Sequence, residues 1–215
     1  MRIADKLAER QTFSFEIFPP KGELSLEEAF AIAGEMAGDR PDWISVTYSA
    51  GGSGNSANTV PIAASIEHDL GVTALVHLTC LGSTRSDVDA YAASLAEKGV
   101  ENVLALRGDR APGRGAIDFE HASDLIEYLR SSGTGLCIGA ACYPEGHVES
   151  PTEQESFESL YKKQEAGADY LVSQLFFDNE DFYRFREKCL RHRVRLPIVA
   201  GIMPFTSVKQ IQRMA

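Results

Sequence analysis

Apolar residues fall into short continuous runs, each followed by a polar loop and then by a stretch where apolar positions recur every third or fourth residue. The runs begin near Phe13, Trp43, Leu75, Val103, Leu136, Tyr170 and Pro197. Successive starts lie 30, 32, 28, 33, 34 and 27 residues apart, which is the length of one strand–helix unit. A strand that is apolar on both faces predicts a parallel sheet covered by helices.

The periodic stretches carry helix start and stop signals. Ser25 with Glu28 predicts a capping box, with Leu26, Ala29, Phe30, Ala33 and Ala37 on one face and Gly38 at the end. Thr84 with Asp87 opens a helix that buries Val88, Tyr91, Ala92 and Leu95 before Gly99, and Thr152 with Glu155 opens another using Phe157, Leu160 and Tyr161 before Gly167. A helix from about Asp181 buries Phe182, Phe185 and Cys189. The fold class is therefore α/β. Seven near-equal repeats predict a parallel (β/α)8 TIM-type barrel lacking its eighth βα unit, with residues 1–215 as a single, C-terminally incomplete catalytic domain. A doubly wound sheet is the alternative topology.

Charge narrows the function classes. With 21 basic and 31 acidic residues the net charge is -10, which argues against binding to nucleic acid or an anionic membrane surface. The Arg184–Arg195 stretch is interrupted by Glu187 and Leu190 and reads as a solvated helix face with its exit loop. No apolar run approaches the ~20 residues that span a bilayer, and Met1–Lys6 lacks the apolar core of a signal peptide. Cys80, Cys137, Cys142 and Cys189 show no metal-ligand spacing, so free thiols and a cytoplasmic location are expected. Cys137 and Cys142 are an odd number of residues apart and should face opposite sides of a strand.

In a βα barrel the active site forms at the carboxyl ends of the strands. Six of these ends bring polar groups: Glu16; Thr47 before Tyr48; His77; Arg107-Gly108-Asp109; Tyr143-Pro144-Glu145-Gly146-His147; and Gln174 to Asp178. Such convergence predicts a small-molecule site, because unsatisfied polar groups in a barrel mouth are costly. Glu16 lies between Phe15 and Ile17 and is expected to be desolvated, with its pKa raised so that it can donate a proton; a structural salt bridge is the alternative. Asp109 follows Gly108, which would let a flat ligand approach the backbone; a loop or helix-cap carboxylate is the alternative. His77 by itself would read as a core histidine. Gly52-Ser53-Gly54-Asn55-Ser56-Ala57 fits a dinucleotide fingerprint, yet it follows the second strand and lacks the acidic residue about 20 positions on, so it reads as a loop. The Pro112-Gly113-Arg114-Gly115 turn lacks the ending of a P-loop.

With these residues in place, the chain resembles the methylenetetrahydrofolate reductase family. The strings FSFEIFPP, SVTYSAGG, HLTC, NVLALRGD, AACYPEGH, AGADYLVSQLFFD and PIVAGIMP occur in the family's order and cover nearly the whole chain. The resemblance implies a cytoplasmic enzyme that passes a hydride from NADH or NADPH to FAD, and from the flavin to 5,10-methylenetetrahydrofolate. It implies Glu16 as the general acid and Asp109 as the carboxylate near flavin and pterin, with Gln174 and Gln210 on the substrate side. Thr47, His77, Arg107, Gly108, Asp109, Ala122, Tyr143, His147 and Lys163 fall on positions that line the family's FAD site. No metal is implied, and a homo-oligomer is expected. Departures from the family pattern are His121 for Tyr, Ser156 and Ser159 for Asp and Asn, Lys162 for Arg, and Met214 for Phe. Two alternatives remain: a flavoprotein subunit that takes electrons from a partner, and a pterin-dependent methyltransferase barrel without flavin.

Overall fold

The computed structural model describes residues 1–19, 26–47, 56–109, 117–147, 149–205 and 207–209. Among the described residues fourteen elements follow one another. They are α1 (Ile3–Glu9), β1 (Ser14–Ile17), α2 (Leu26–Gly38), β2 (Trp43–Val46), α3 (Ser56–His68), β3 (Thr73–Thr79) and α4 (Arg85–Glu97). Next come β4 (Asn102–Leu106), α5 (Ala122–Ser131), β5 (Cys137–Cys142), α6 (Glu153–Glu165), β6 (Tyr170–Ser173), α7 (Asn179–Arg191) and β7 (Ile198–Val199). The strands form one parallel sheet in the order β1-β2-β3-β4-β5-β6-β7. A doubly wound sheet reverses its order at a switch point. Here the order never reverses, so the sheet curls in the manner of a barrel.

The helix signals hold where they are described. Thr84 and Asp87 form a reciprocal capping box on α4, and the Thr152 hydroxyl accepts the Glu155 N–H at 3.2 Å on α6. Helix α7 starts at Asn179, two residues before the expected Asp181, because Asp178 caps it by accepting the Glu180 N–H at 2.8 Å. Ser25, Pro20, Tyr48, the Gly52–Asn55 part of the fingerprint-like loop and the Pro112–Gly115 turn lie outside the described residues.

Alternation along the strands sorts side chains into two cores. Ile44, Val46, Ala74, Val76, Val103, Ala105, Ile138, Ala140 and Leu171 face outward and pack beneath Val88, Leu95, Leu125, Leu129, Leu160 and Phe185 of the helices. Trp43, Leu75, Leu104, Cys137 and Tyr170 face inward around Ile3 of α1. Cys137 and Cys142 fall on opposite faces, and all four cysteines are buried free thiols.

Helix α1 was not foreseen from the sequence. Its signal was only Ile3 and Leu7, one helical turn apart. Buried Asn102 fixes it: Asn102 Oδ1 accepts the Ile3 N–H at 2.8 Å, while Nδ2 donates to the carbonyls of Met1 and Ala74, each at 3.2 Å. The helix therefore closes the amino end of the concave face and leaves the carboxyl end open. At the sheet's two ends, β1 and β7 do not pair with each other, and a cavity of ≈ 1170 Å³ lined by Phe13, Phe15, Leu190, Leu196 and Ile198 lies between them.

Gly139 is a tight point of the inner core. A Cβ there would sit 2.7 Å from the Tyr170 ring, which lies opposite it in the β5–β6 register. Gly139→Ala should therefore destabilise the fold by about 2–3 kcal/mol, since a packed core cannot take an added methyl without strain. Urea unfolding of the variant beside the parent measures this. An unchanged midpoint would mean that Tyr170 is free to move aside.

Candidate active site

At the open end, a cavity of ≈ 550 Å³ lies over the carboxyl ends of β3, β4 and β5, between the starts of α5 and α6. Arg107, Gly108, Asp109, Ala122, Tyr143, His147 and Lys163 all line it. In the sequence these seven share only strand-end positions or a family resemblance; the fold brings them to one wall.

Each is held for a physical reason. Gly108 has φ +89°, and a Cβ there would lie 3.2 Å from Thr79 Cβ, so glycine allows the ends of β3 and β4 to close together. The Arg107 guanidinium makes a two-pronged pair with Glu149, with Nη1–Oε2 at 2.5 Å and Nη2–Oε1 at 2.9 Å. Glu149 was missed by sequence reasoning, since an acid in a polar loop carries no distinguishing signal. His147 packs edge-on against Tyr143 at 4.5 Å, and its Nδ1 accepts the Glu149 N–H at 3.1 Å. Burial, reinforced by the Arg107 charge, pushes His147 below the usual histidine range, and burial pushes the Tyr143 phenol up. Neutral His147 thus carries its proton on Nε2. Ala122 is the buried first residue of α5, where Asp124 accepts the N–H groups of Glu120 (3.0 Å) and His121 (2.9 Å). Asp109 is exposed and caps no described helix; its charge is felt by Arg107, Tyr143 and His147.

Lys163 is the unusual group. It reaches from α6 through the helix–sheet layer, is buried, and donates from Nζ to the Ala141 carbonyl at 2.8 Å. Burial pushes its amine down to about 8, and the Arg107 charge acts in the same direction.

Glu16, Thr47 and His77 form a second group at the ends of β1 to β3. Thr47 is buried, with its N–H donating to Ile17 O at 3.0 Å and its carbonyl accepting the Thr59 hydroxyl at 3.4 Å. His77 is buried, and its Nε2 lies 3.4 Å from Glu16 Oε2. The expectation that Glu16 would be desolvated is corrected here: its side chain is 47% exposed. The reason is positional. Glu16 faces into the open carboxyl end of the sheet, whereas Phe15 and Ile17 point the other way, so apolar neighbours in sequence do not enclose it. Gln174 is also exposed at the end of β6, with its N–H donating to Cys142 O at 2.8 Å. Gln210 and Met214 lie outside the described residues.

The four described departures from the family pattern, His121, Ser156, Ser159 and Lys162, all lie on the wall of the 550 Å³ cavity. They are concentrated at one place and are absent from the Glu16 group.

A family model described as methylenetetrahydrofolate reductase matches residues 2–215. This chain belongs to the methylenetetrahydrofolate reductase family. It is 35% identical over 210 residues to 5,10-methylenetetrahydrofolate reductase of Pectobacterium carotovorum, covering 98% of this chain and 70% of that protein. It is 34% identical to the Escherichia coli protein of the same name, covering 94% of this chain and 67% of that one. Against methylenetetrahydrofolate reductase 1 of Schizosaccharomyces pombe the identity is 36%, and the chain spans 36% of that protein's length. The chain thus matches about two thirds of its bacterial relatives and a little over a third of the fungal one. Among solved structures, a Clostridium thermocellum protein described as binding two copies of 5-methyl-5,6,7,8-tetrahydrofolic acid shares the fold, with a TM-score of 0.72 at 15% identity over 98% of this chain and 73% of that one. Deoxyribose phosphate aldolase from Aeropyrum pernix aligns with a TM-score of 0.60 at 12% identity, covering 93% and 78%. Both place the sheet in the βα-barrel class. Among the described residues no helix is long and apolar enough to cross a membrane.

Lys163 yields a prediction. An unfolded lysine holds its proton to about pH 10.4, while the folded one releases it near 8. The folded state therefore binds fewer protons in that window, and the stability contributed by this group rises with pH across it. Lys163→Met should be more stable than the parent by about 3 kcal/mol at pH 7, and the gap should close as pH rises from 8 to 10.5. Cys80, pushed up to about 11 by burial, acts in the opposite direction, so the measurement is the difference between the two proteins in urea. A gap independent of pH would show that Lys163 is solvated when folded.

Proposed function

We propose that this chain reduces 5,10-methylenetetrahydrofolate to 5-methyltetrahydrofolate with FAD as the hydride relay and NADH or NADPH as the electron donor. The observation that carries this reading is the juxtaposition of two groups at one mouth. An acid, Glu16, is held against a buried imidazole, and beside them a polar-walled cavity runs over the next strand ends.

The polar wall of the cavity suits a flavin dinucleotide in chemistry. Gly108, whose missing Cβ is replaced by Thr79 packing against it, draws the ends of β3 and β4 together into a continuous floor for the cavity. Lys163 spends one N–H on Ala141 and has two left to offer, while Lys162 and the hydroxyls of Ser156 and Ser159 line the same wall. These groups fit a diphosphate and ribose. When bound, the flavin supplies a site that takes a hydride from the nicotinamide and gives it to the folate.

The chain's own residues do the rest. Opening the bridging methylene to an iminium requires a proton on the departing nitrogen, and Glu16 provides it. Asp109 supplies negative charge that favours the cationic iminium. Gln174 and Gln210 bind the folate. We place the protein in the cytoplasm, where four buried thiols stay reduced.

The direct test is the absorbance spectrum of the purified protein. It should be yellow and bleach on anaerobic addition of NADH or NADPH, with colour returning on addition of the folate. A colourless protein that still binds folate would favour the methyltransferase alternative, and a yellow one bleached by neither nucleotide would favour an electron-delivering partner.

Two substitutions separate the half-reactions. Glu16→Gln should slow folate reduction by at least ~10²-fold, the usual contribution of a positioned acid, while flavin reduction changes little. Stopped-flow traces of both halves decide this, and equal losses would make Glu16 structural. Asp109→Asn should slow the folate half-reaction and raise the flavin potential, because a nearby anion has been removed. A redox titration giving an unchanged or lower potential would place Asp109 away from the flavin.

A further inference from the structure

We infer that His77 is the positioning residue of Glu16, donating from Nε2–H to one carboxyl oxygen so that the other faces the substrate. This rests on the proposed role of Glu16 as the acid.

The geometry is particular. Glu16 pairs in register with Ser45 on β2, and His77 stands on β3, two strands away from β1. Two strand spacings amount to roughly 9.5 Å, so a side chain on β1 does not ordinarily meet one on β3. Glu16 nonetheless brings Oε2 to 3.4 Å from His77 Nε2. Ser45 is paired on its other side with Leu75, so His77 stands two residues further along β3 and the carboxylate reaches it diagonally over β2, past the small, buried Ser45.

The need is reciprocal. His77 Nε2 is buried, and among the described residues it has no aligned hydrogen-bond partner, so the Glu16 carboxylate is the acceptor within reach. The residue paired with His77 on β4 is Leu104, which offers no competing side chain. Glu16, with its side chain 47% exposed, makes no other polar side-chain contact among the described residues. Hydrogen bonds of catalytic groups are often long before substrate binds and shorten afterwards. A proton donor out of place by about 1 Å can cost on the order of 10²-fold in rate, so holding this carboxyl still has a measurable value.

The experiment is a double-mutant cycle on single-turnover folate reduction by pre-reduced protein. His77→Leu should lower kcat by about 10- to 100-fold with the folate KM changed by less than about threefold. His77→Gln, whose amide N–H falls near the position of Nε2, should recover most of the rate. In the Glu16→Gln background, adding His77→Leu should change the rate by less than about twofold, because the two residues act as one unit. Additive losses, or a KM effect without a kcat effect, would overturn the proposal.

A second arm needs no turnover. In protein labelled with 15N in the histidine rings, the His77 Nε2 resonance should move in Glu16→Gln and stay in place in Glu101→Gln, a change at an exposed acid on the opposite end of the sheet. A resonance that ignores Glu16→Gln disproves the contact even if the parent protein reduces no folate. Conversely, a moved resonance in a protein without folate reductase activity would keep the contact and reject the proposed function.

Discussion

On β2, β3 and β6 the inward-facing row changes character along its length, from apolar where α1 closes the sheet to polar where it opens, and the site depends on that change. On β2 the row runs Trp43, Ser45, Thr47; on β3 it runs Leu75, His77, Thr79; on β6 it runs Tyr170, Val172, Gln174. The apolar members pack around Ile3 and give the concave face a filled floor. With the floor dry and close-packed, the polar members can be spent on a ligand instead of on closing the fold. Gly139 shows how little slack there is, since the Tyr170 ring occupies the space that any side chain there would need.

Outside that floor, the helix layer contributes more than cover. Lys163 threads from α6 to the rim and remains a base whose charge is disfavoured by burial. Such a group is costly to the fold, and an anion beside it, as the proposed function supplies, would offset that cost because opposite charge in a low-dielectric setting restores the charged form. Arg107 differs: Glu149 neutralises it at short range, so it contributes shape and orientation more than net charge. His147, held neutral by burial and Arg107, adds a hydrogen-bond donor without adding a cation. Among the described residues the cavity wall thus joins a buried cation, Lys163, with Lys162, the Glu149-paired Arg107 and neutral donors.

Departures from the family pattern gather on the wall of this cavity and leave the Glu16 and His77 group alone. Under the proposed function that wall meets ribose and phosphate, where Ser in place of Asp or Asn still offers an oxygen atom. The proposed proton donor, which must reach one atom, has no comparable freedom.

Much of this could be read from the residues in order. Strand starts at roughly even intervals, helices opened at Thr84 and Thr152, and polar groups at six strand ends are local facts, set by backbone preference and periodicity. Opposite facing of Cys137 and Cys142 followed from parity alone. Three things did not follow. Helix α1 carries too few apolar positions to announce itself, and its partner Asn102 is about a hundred residues away. Glu16 looked buried because Phe15 and Ile17 flank it, yet alternation sends those two outward and leaves the carboxylate at the open end. The contact between Glu16 and His77 crosses an intervening strand diagonally, past the small Ser45 that pairs with Glu16. Neighbours along a chain fix what each residue can form locally; which face is open, and who stands across it, is settled only when distant strands pair.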